Sequence, residues 1–160
     1  MAIKNVGREA LSISGIQCET FIKLEEMYYQ DMQTLYIPIV DYYTTHGDHP
    51  KLIGDVMTDI SIGNNLNYLR FYKECVDNSL SRNKYFCELV NFVIIPYVDI
   101  YEEEHTVYFE NDQRCSKEYF DDIVKKSRND FNERYFRLSE LKLDDLKKYS
   151  KIDKTRKMAR

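Results

Sequence analysis

Tryptophan is missing from the 160 residues, and glycine and proline are scarce at five and three. So few breakers leave little room for tight hairpins and favour long helices. The four cysteines, Cys18, Cys75, Cys87 and Cys115, form no CxxC pair. That spacing argues against a zinc knuckle or a thioredoxin-type centre and reads instead as buried free thiols. No window reaches the roughly 18 to 20 apolar residues of a membrane span. The start, MAIKNVGREALSISG, has no apolar h-region of a secretory signal, so a cytoplasmic location is expected. GxSxG, a glycine-rich phosphate loop and a recognisable Cys–His spacing are also missing, and nothing nominates an enzyme's residues or a cofactor. The net charge of -4 gives no general attraction to phosphate backbones, so nucleic acid is not an expected partner.

What is present is aromatic: fourteen Tyr and eight Phe. In CETFIKLEEMYYQDMQTLYIPIVDYY, the residues Phe21, Leu24, Tyr28, Met32, Leu35, Ile39 and Tyr42 recur at helical steps of three or four. They predict one helix, kinked or ending early at Pro38. HGDHP, His46 to Pro50, is the clearest loop. Tyr68, Leu69, Tyr72, Cys75 and Val76 predict a second helix, and Asn78 to Asn83 a turn. KYFCELVNFVIIP is apolar nearly all round and reads as a central buried helix, although its β-branched NFVII also fits a strand. From Pro96, the residues Tyr97, Tyr101, Tyr108, Cys115 and Tyr119 share a helical arc, with Glu104 and Asn111 on its apolar side. These two polar groups need partners, and an interior hydrogen-bond role is the expectation. Phe120 to Leu138 continues as helix, and SELKLDDLKKY as a short one capped by Ser139.

Residues 1–150 therefore read as a single helical domain, and 151–160 as a basic, disordered tail. Lys151, Lys154, Arg156, Lys157 and Arg160 have the composition that touches acidic membrane surfaces, but the plainer reading is a solvated end. Glu102 and His105 form an ExxH and His46 and His49 an HxxH. A di-iron bundle needs two ExxH helices, so no metal is expected.

Three segments resemble the Dbl-homology domain of Rho-family guanine nucleotide exchange factors. LEEMYYQDMQTL matches its first conserved helix through Glu25, Tyr28, Asp31, Met32 and Leu35. IGNNLNYLRFYKECV supplies Asn64, Tyr68, Phe71 and Tyr72, and YFEN supplies Tyr108 and Asn111. The resemblance implies a small GTPase as partner, with Glu19 as the catalytic glutamate contacting the switch and Thr20, Lys23 and Glu25 as further contacts. The family's Leu-rich third segment has no counterpart, which implies a truncated, non-catalytic remnant as the other form.

The expected fold is all-α, an elongated bundle of five to seven helices. The alternative function is a compact helical interaction module, of the viral Bcl-2-like type, whose groove takes a partner's amphipathic helix. An enzyme with an α+β core follows if FVII is a strand.

Overall fold

A period of two, not 3.6, organises most of this chain. A computed structural model describes residues 10–13, 15–41, 53–152 and 154, with the backbone alone for 10–13 and 53–64. The HGDHP loop, Tyr42 and most of the basic tail lie outside the described residues. From Ile22 to Tyr28 burial rises and falls with every residue, as in a strand whose side chains point alternately to two faces.

Strands β1 (Ala10–Ile13), β2 (Gln17–Tyr28) and β3 (Asp31–Ile39) precede helix α1 (Ile53–Asp77). Strands β4 (Asn83–Asp99), β5 (Glu104–Glu110) and β6 (Gln113–Cys115) follow, then helix α2 (Lys117–Phe131). A short helix α3 (Leu143–Leu146) and a 3₁₀ turn (Lys147–Tyr149) close the fold. The six strands form one antiparallel sheet in the order β3-β2-β4-β5-β6, with β1 paired to the far end of β4. The all-α bundle is thus overturned. The segment expected as the first helix is the β2–β3 hairpin, with Leu24 opposite Leu35 and Phe21 opposite Pro38. KYFCELVNFVIIP is β4, and the stripe from Pro96 is the end of β4 and the β5–β6 hairpin. Helices do form at α1 and α2, and the turn before β4 is present. Ser139 caps nothing: the N-cap of α3 is Lys142.

The helical reading failed because these hairpins turn without glycine. Tyr29 at the β2–β3 turn has φ 55°, and Asn111 and Asp112 between β5 and β6 have φ 44° and 69°. Positive φ at both central residues matches the right-handed strand twist, and Asn and Asp bear it at little cost. Between β4 and β5, Asp99 replaces a glycine turn. Its Oδ1 accepts the N–H groups of Tyr101 (2.8 Å) and Glu103 (3.0 Å).

Register then assigns the faces. One face carries Ile22, Leu24, Leu35, Ile37, Tyr85 and Cys87, covered by Phe71 and Cys75 of α1 and by Leu138, Leu141, Leu143 and Leu146. The other carries Phe21, Val90, Phe92 and Ile94 under Ile123 and Phe120 of α2. Each fully buried apolar side chain contributes about 1.5–3 kcal/mol. The chain crosses from the α2 face to the α1 face round the β3 edge. There Phe136 N–H donates to Pro38 O (2.9 Å) and Phe136 O accepts from Val40 N–H (3.0 Å). Helix α1 then ties down the crossing segment: Arg70 donates to Leu138 O and Leu141 O, and Glu74 accepts from Leu143 N–H.

Glu26 is a carboxylate in this core, 4% exposed. Its Oε2 accepts from Ser150 Oγ (2.7 Å), and its Oε1, lacking a directed hydrogen bond, meets Lys154 Nζ at 2.5 Å. Gln33 holds the same segment through Tyr149 O and Lys151 N–H. Lys151 and Lys154 of the expected tail are thus held against the fold. Breaking one partner of a buried pair leaves an uncompensated charge. A double-mutant cycle of Glu26→Gln and Lys154→Met, read by urea denaturation, should give a coupling of about 1–2 kcal/mol. Additive single effects would show that Lys154 does not compensate Glu26.

Candidate functional site: the outer edge of β4

Strand β4 is longer than its neighbour on one side. Strand β2 pairs with it from Asn83 to Ile94, but β5 pairs only with Phe92 to Val98. Among the described residues, no strand pairs with the outer edge from Lys84 to Val90. Bare edges invite pairing with other chains, and natural proteins cover them.

Here side chains do the covering. Ser79 Oγ, just past α1, accepts from Tyr85 N–H (3.0 Å) and lies 3.4 Å from Tyr85 O. Tyr68 of α1 donates its hydroxyl to Cys87 O at 3.3 Å. Asn111 donates to Leu89 O (3.3 Å) and accepts from Asn91 N–H (2.9 Å). All these groups sit on odd-numbered residues, so the odd positions of β4 turn their backbone outward. The N–H groups of Cys87 and Leu89 have no partner among the described residues.

Between this edge and α1 runs a groove of 540 Å³. Its walls are Tyr72, Cys75, Val76 and Leu80 on one side and Tyr85 and Cys87 on the other, with Phe86 at the rim, on the opposite face of β4. Leu80 is 69% exposed and Phe86 51%, and Leu66 and Leu69 continue the apolar stripe along α1. Exposed apolar residues that line up beside an open strand edge form a contact surface rather than scattered exceptions. Lys84 is the one charged residue in the lining, and no ion pair engages it among the described residues. At the base Cys75 and Cys87 interact: the thiol contact raises Cys75 and lowers Cys87, with burial as the second influence. Burial also pushes the Tyr68 hydroxyl up to about 12, so it stays a proton donor at neutral pH.

The residues expected to contact a GTPase are not gathered here. Glu19 lines a different cavity, of 310 Å³, between the sheet and α2, with Asp121, Arg128, Glu133 and Arg134. Thr20, the next residue, faces the opposite side of the sheet, where it is buried and donates to Asn91 Oδ1 (2.9 Å). Adjacent strand residues cannot build one site. Lys23 and Glu25 form an ion pair (3.0 Å) on the α2 side, and the Glu25 hydrogen bond raises the Lys23 ammonium above its ordinary value. Glu104 is exposed at the start of β5. Of the candidates, Asn111 alone touches the β4 edge. The groove residues went unnoticed because Tyr85, Cys87 and Leu89, one strand face, were read as parts of a helix. Their alternation with Phe86 and Glu88 was the available signal.

At the β4–β5 turn, Asp99, Glu103 and His105 bring ligand-type atoms within 4.8 Å. His105 Nε2 lies 2.8 Å from Asp99 Oδ2, and its ring stacks on Tyr97 at 5.1 Å. The N–H of Glu103, then His105, hold Asp99 below its ordinary 3.8. Both Asp99 oxygens are thus used in fixing the turn, and no ion is needed to explain them.

Compared with protein-family models, with curated proteins and with solved structures, the chain matches none. No helix among the described residues is long and apolar enough to cross a membrane.

Two measurements check this description. Asn111→Gly keeps the positive-φ turn but removes the side chain covering the edge, so light scattering at high concentration should show faster self-association than in the wild type, with little change in urea midpoint. Unchanged scattering would mean that Asn111 does not guard the edge. For Asp99, the depressed carboxyl means that its stabilisation is present above the unfolded value near 3.8 and disappears as pH falls through the folded one. The stability gap between wild type and Asp99→Asn should be constant above pH of about 5 and shrink below about 4. A gap independent of pH down to about 2.5 would contradict that role.

Proposed function

We propose that this chain is a protein-binding module whose β4 edge accepts an extended segment of a partner as an added strand. The observation that carries this reading is the pair of outward Cys87 and Leu89 N–H groups beside an exposed apolar groove. In strand addition, main-chain hydrogen bonds supply affinity and pockets for alternate side chains supply specificity. The groove offers such a pocket between Leu80, Val76 and Tyr85, and Phe86 offers an apolar surface to the alternate side chains on the opposite face. Lys84, the only lining charge, favours an acidic residue in the occupant. The segment that fits is therefore extended, apolar at alternate positions, and carries one carboxylate near Lys84.

A second copy of the chain fits less well. Its own α1 covers its edge through Tyr68 and Ser79, so pairing two β4 edges brings two helices against one another. The exchange-factor reading asked for a flank of parallel helices, which is missing among the described residues. A GTPase enters only as one protein able to present a strand.

The test uses the whole protein against a displayed library of random nine-residue peptides. Enrichment of alternating apolar sequences bearing an acidic residue is expected, with binding lost in Val76→Glu and Leu80→Glu, both exposed positions that should leave the fold intact. On addition of an enriched peptide, the amide signals of Cys87 and Leu89 should shift and exchange more slowly with solvent. No enrichment over Leu80→Glu would end the proposal. So would binding that leaves both amides unchanged. Accelerated GDP release from a Rho-type GTPase, unaffected by Leu80→Glu, would restore the exchange-factor reading instead.

A further inference from the structure

Two cysteines on different elements meet at the base of the groove, and their placement is fixed on either side. Two turns before Cys75, Tyr68 of α1 reaches Cys87 O at 3.3 Å. One turn after it, Ser79 Oγ donates to Cys75 O (2.8 Å) and accepts from Tyr85 N–H (3.0 Å). The helix is thus pinned to β4 at residues 85 and 87, with Cys75 between the pins. Register puts Cys87 on the sheet face that α1 covers, beside Cys75 in one apolar cluster. Both are free thiols on the groove wall, and Cys87 keeps 9% exposure against 1% for Cys75, so a small solute entering the groove meets Cys87.

We propose that Cys75 and Cys87 form a reactive dithiol which hydroperoxides oxidise to a reversible intramolecular disulfide. The inference does not depend on peptide binding.

The two sulfurs have distinct parts. The Cys87 sulfur accepts from the Cys75 thiol, and this interaction favours its thiolate over burial's opposing effect. Cys75 is held as the neutral thiol by the same contact and by burial. A thiolate is the nucleophile towards peroxide, and Cys87 is the more exposed of the two, at 9% against 1%, so Cys87 reacts first. Its sulfur attacks one oxygen of H₂O₂, the O–O bond breaks, and hydroxide leaves, taking a proton to become water; Cys87 is now the sulfenic acid. Cys75, whose proton passes to the departing oxygen, then attacks the Cys87 sulfur, and the S–O bond breaks with release of a second water. The sum is two thiols and one H₂O₂ giving one disulfide and two waters. The thiols supply two electrons and two protons, and the peroxide is reduced. Closing the bridge brings the sulfurs of these two clustered residues to the S–S length of about 2.05 Å.

Cys18 and Cys115 are the internal comparison. Both are half-buried, on β2 and β6, and burial raises Cys115. Cys115 packs with the cluster under α2, on the other face of the sheet from Cys75 and Cys87.

The experiment exposes the intact protein to a few equivalents of H₂O₂, alkylates the remaining thiols, and maps peptides by mass spectrometry without reduction. The expected product is the cross-linked Cys75 and Cys87 peptides, lighter by two hydrogens, abolished by dithiothreitol, with Cys18 and Cys115 still alkylated. Cys75→Ser should instead leave a Cys87 sulfenic acid that dimedone traps, whereas Cys87→Ser should leave Cys75 alkylatable. The wild-type result stands even if a variant folds poorly. Alkylation of Cys75 and Cys87 after Cys18 or Cys115 has been oxidised would overturn the proposal. Irreversible sulfinate at Cys87 without cross-linking would overturn it as well.

Discussion

The antiparallel pairing of β2 with β4 over twelve successive residue pairs, Gln17 with Ile94 through Tyr28 with Asn83, governs the rest of the molecule. A one-residue slip in such a ladder exchanges every side chain between faces. In the observed register Ile22, Leu24 and Cys87 meet α1, while Phe21, Val90 and Phe92 meet α2. A slip of one strand would carry its core residues to the wrong helix and turn Glu26 or Lys23 inward on the wrong side. Both faces are covered by apolar surface but by different elements, so the pairing is doubly specified. The aromatic residues sharpen this: Phe92 meets Phe21 at 6.0 Å and Phe120 at 5.1 Å, edge to face, an arrangement only one register allows.

That long central strand also creates the site. β5 turns back at Asn111 rather than following β4 to its start, because the two-residue Asn111–Asp112 turn feeds β6 onto the outer side of β5. Half of β4 is left with one neighbour. α1, the connection between β3 and β4, arrives at that half and packs Phe71 and Cys75 inward, which leaves Val76 and Leu80 beside the open edge. The groove is therefore a consequence of unequal strand lengths and a crossover helix, not of any local motif.

A motif search had little to find for that reason. The helices α1 and α2 were legible because their apolar spacing and polar opposite faces have no strand counterpart; Ser116, which accepts Tyr119 N–H, is an ordinary N-cap. The sheet was hidden. Phe21, Leu24, Tyr28, Leu35 and Ile39 satisfy a helical stripe, yet Phe21 and Leu24 stand on opposite faces of β2. The alternation that would have revealed β2 runs through Ile22, Leu24, Glu26 and Tyr28. A charged residue at its third core position breaks the pattern, since the Lys154 that compensates Glu26 is remote in sequence. Turns gave no warning either, with Tyr29, Glu102 and Asn111 at positive φ where glycine was the cue sought. The segments resembling a Dbl-homology helix straddle such a turn: Glu25 and Tyr28 lie on β2, and Asp31 and Leu35 on β3. The candidate site was legible only as fragments. Asn111 drew notice as a polar group needing a partner, but its partner proved to be the backbone of β4.

Covering a strand edge with side chains rather than another strand has an energetic consequence. A backbone ladder bond and a hydroxyl- or amide-to-backbone bond are similar in net worth, about 0.5–1.5 kcal/mol each. Exchanging Tyr68 and Asn111, both at 3.3 Å, for an incoming strand's amides leaves the polar balance near zero, because the displaced side chains regain water. The gain in such an exchange then comes from apolar area buried against Val76, Leu80 and Phe86, at about 25 cal/mol per Å². An edge held this way resists indiscriminate pairing, since a polar strand gains nothing by displacing the covers, and yields to a segment whose side chains fill the groove.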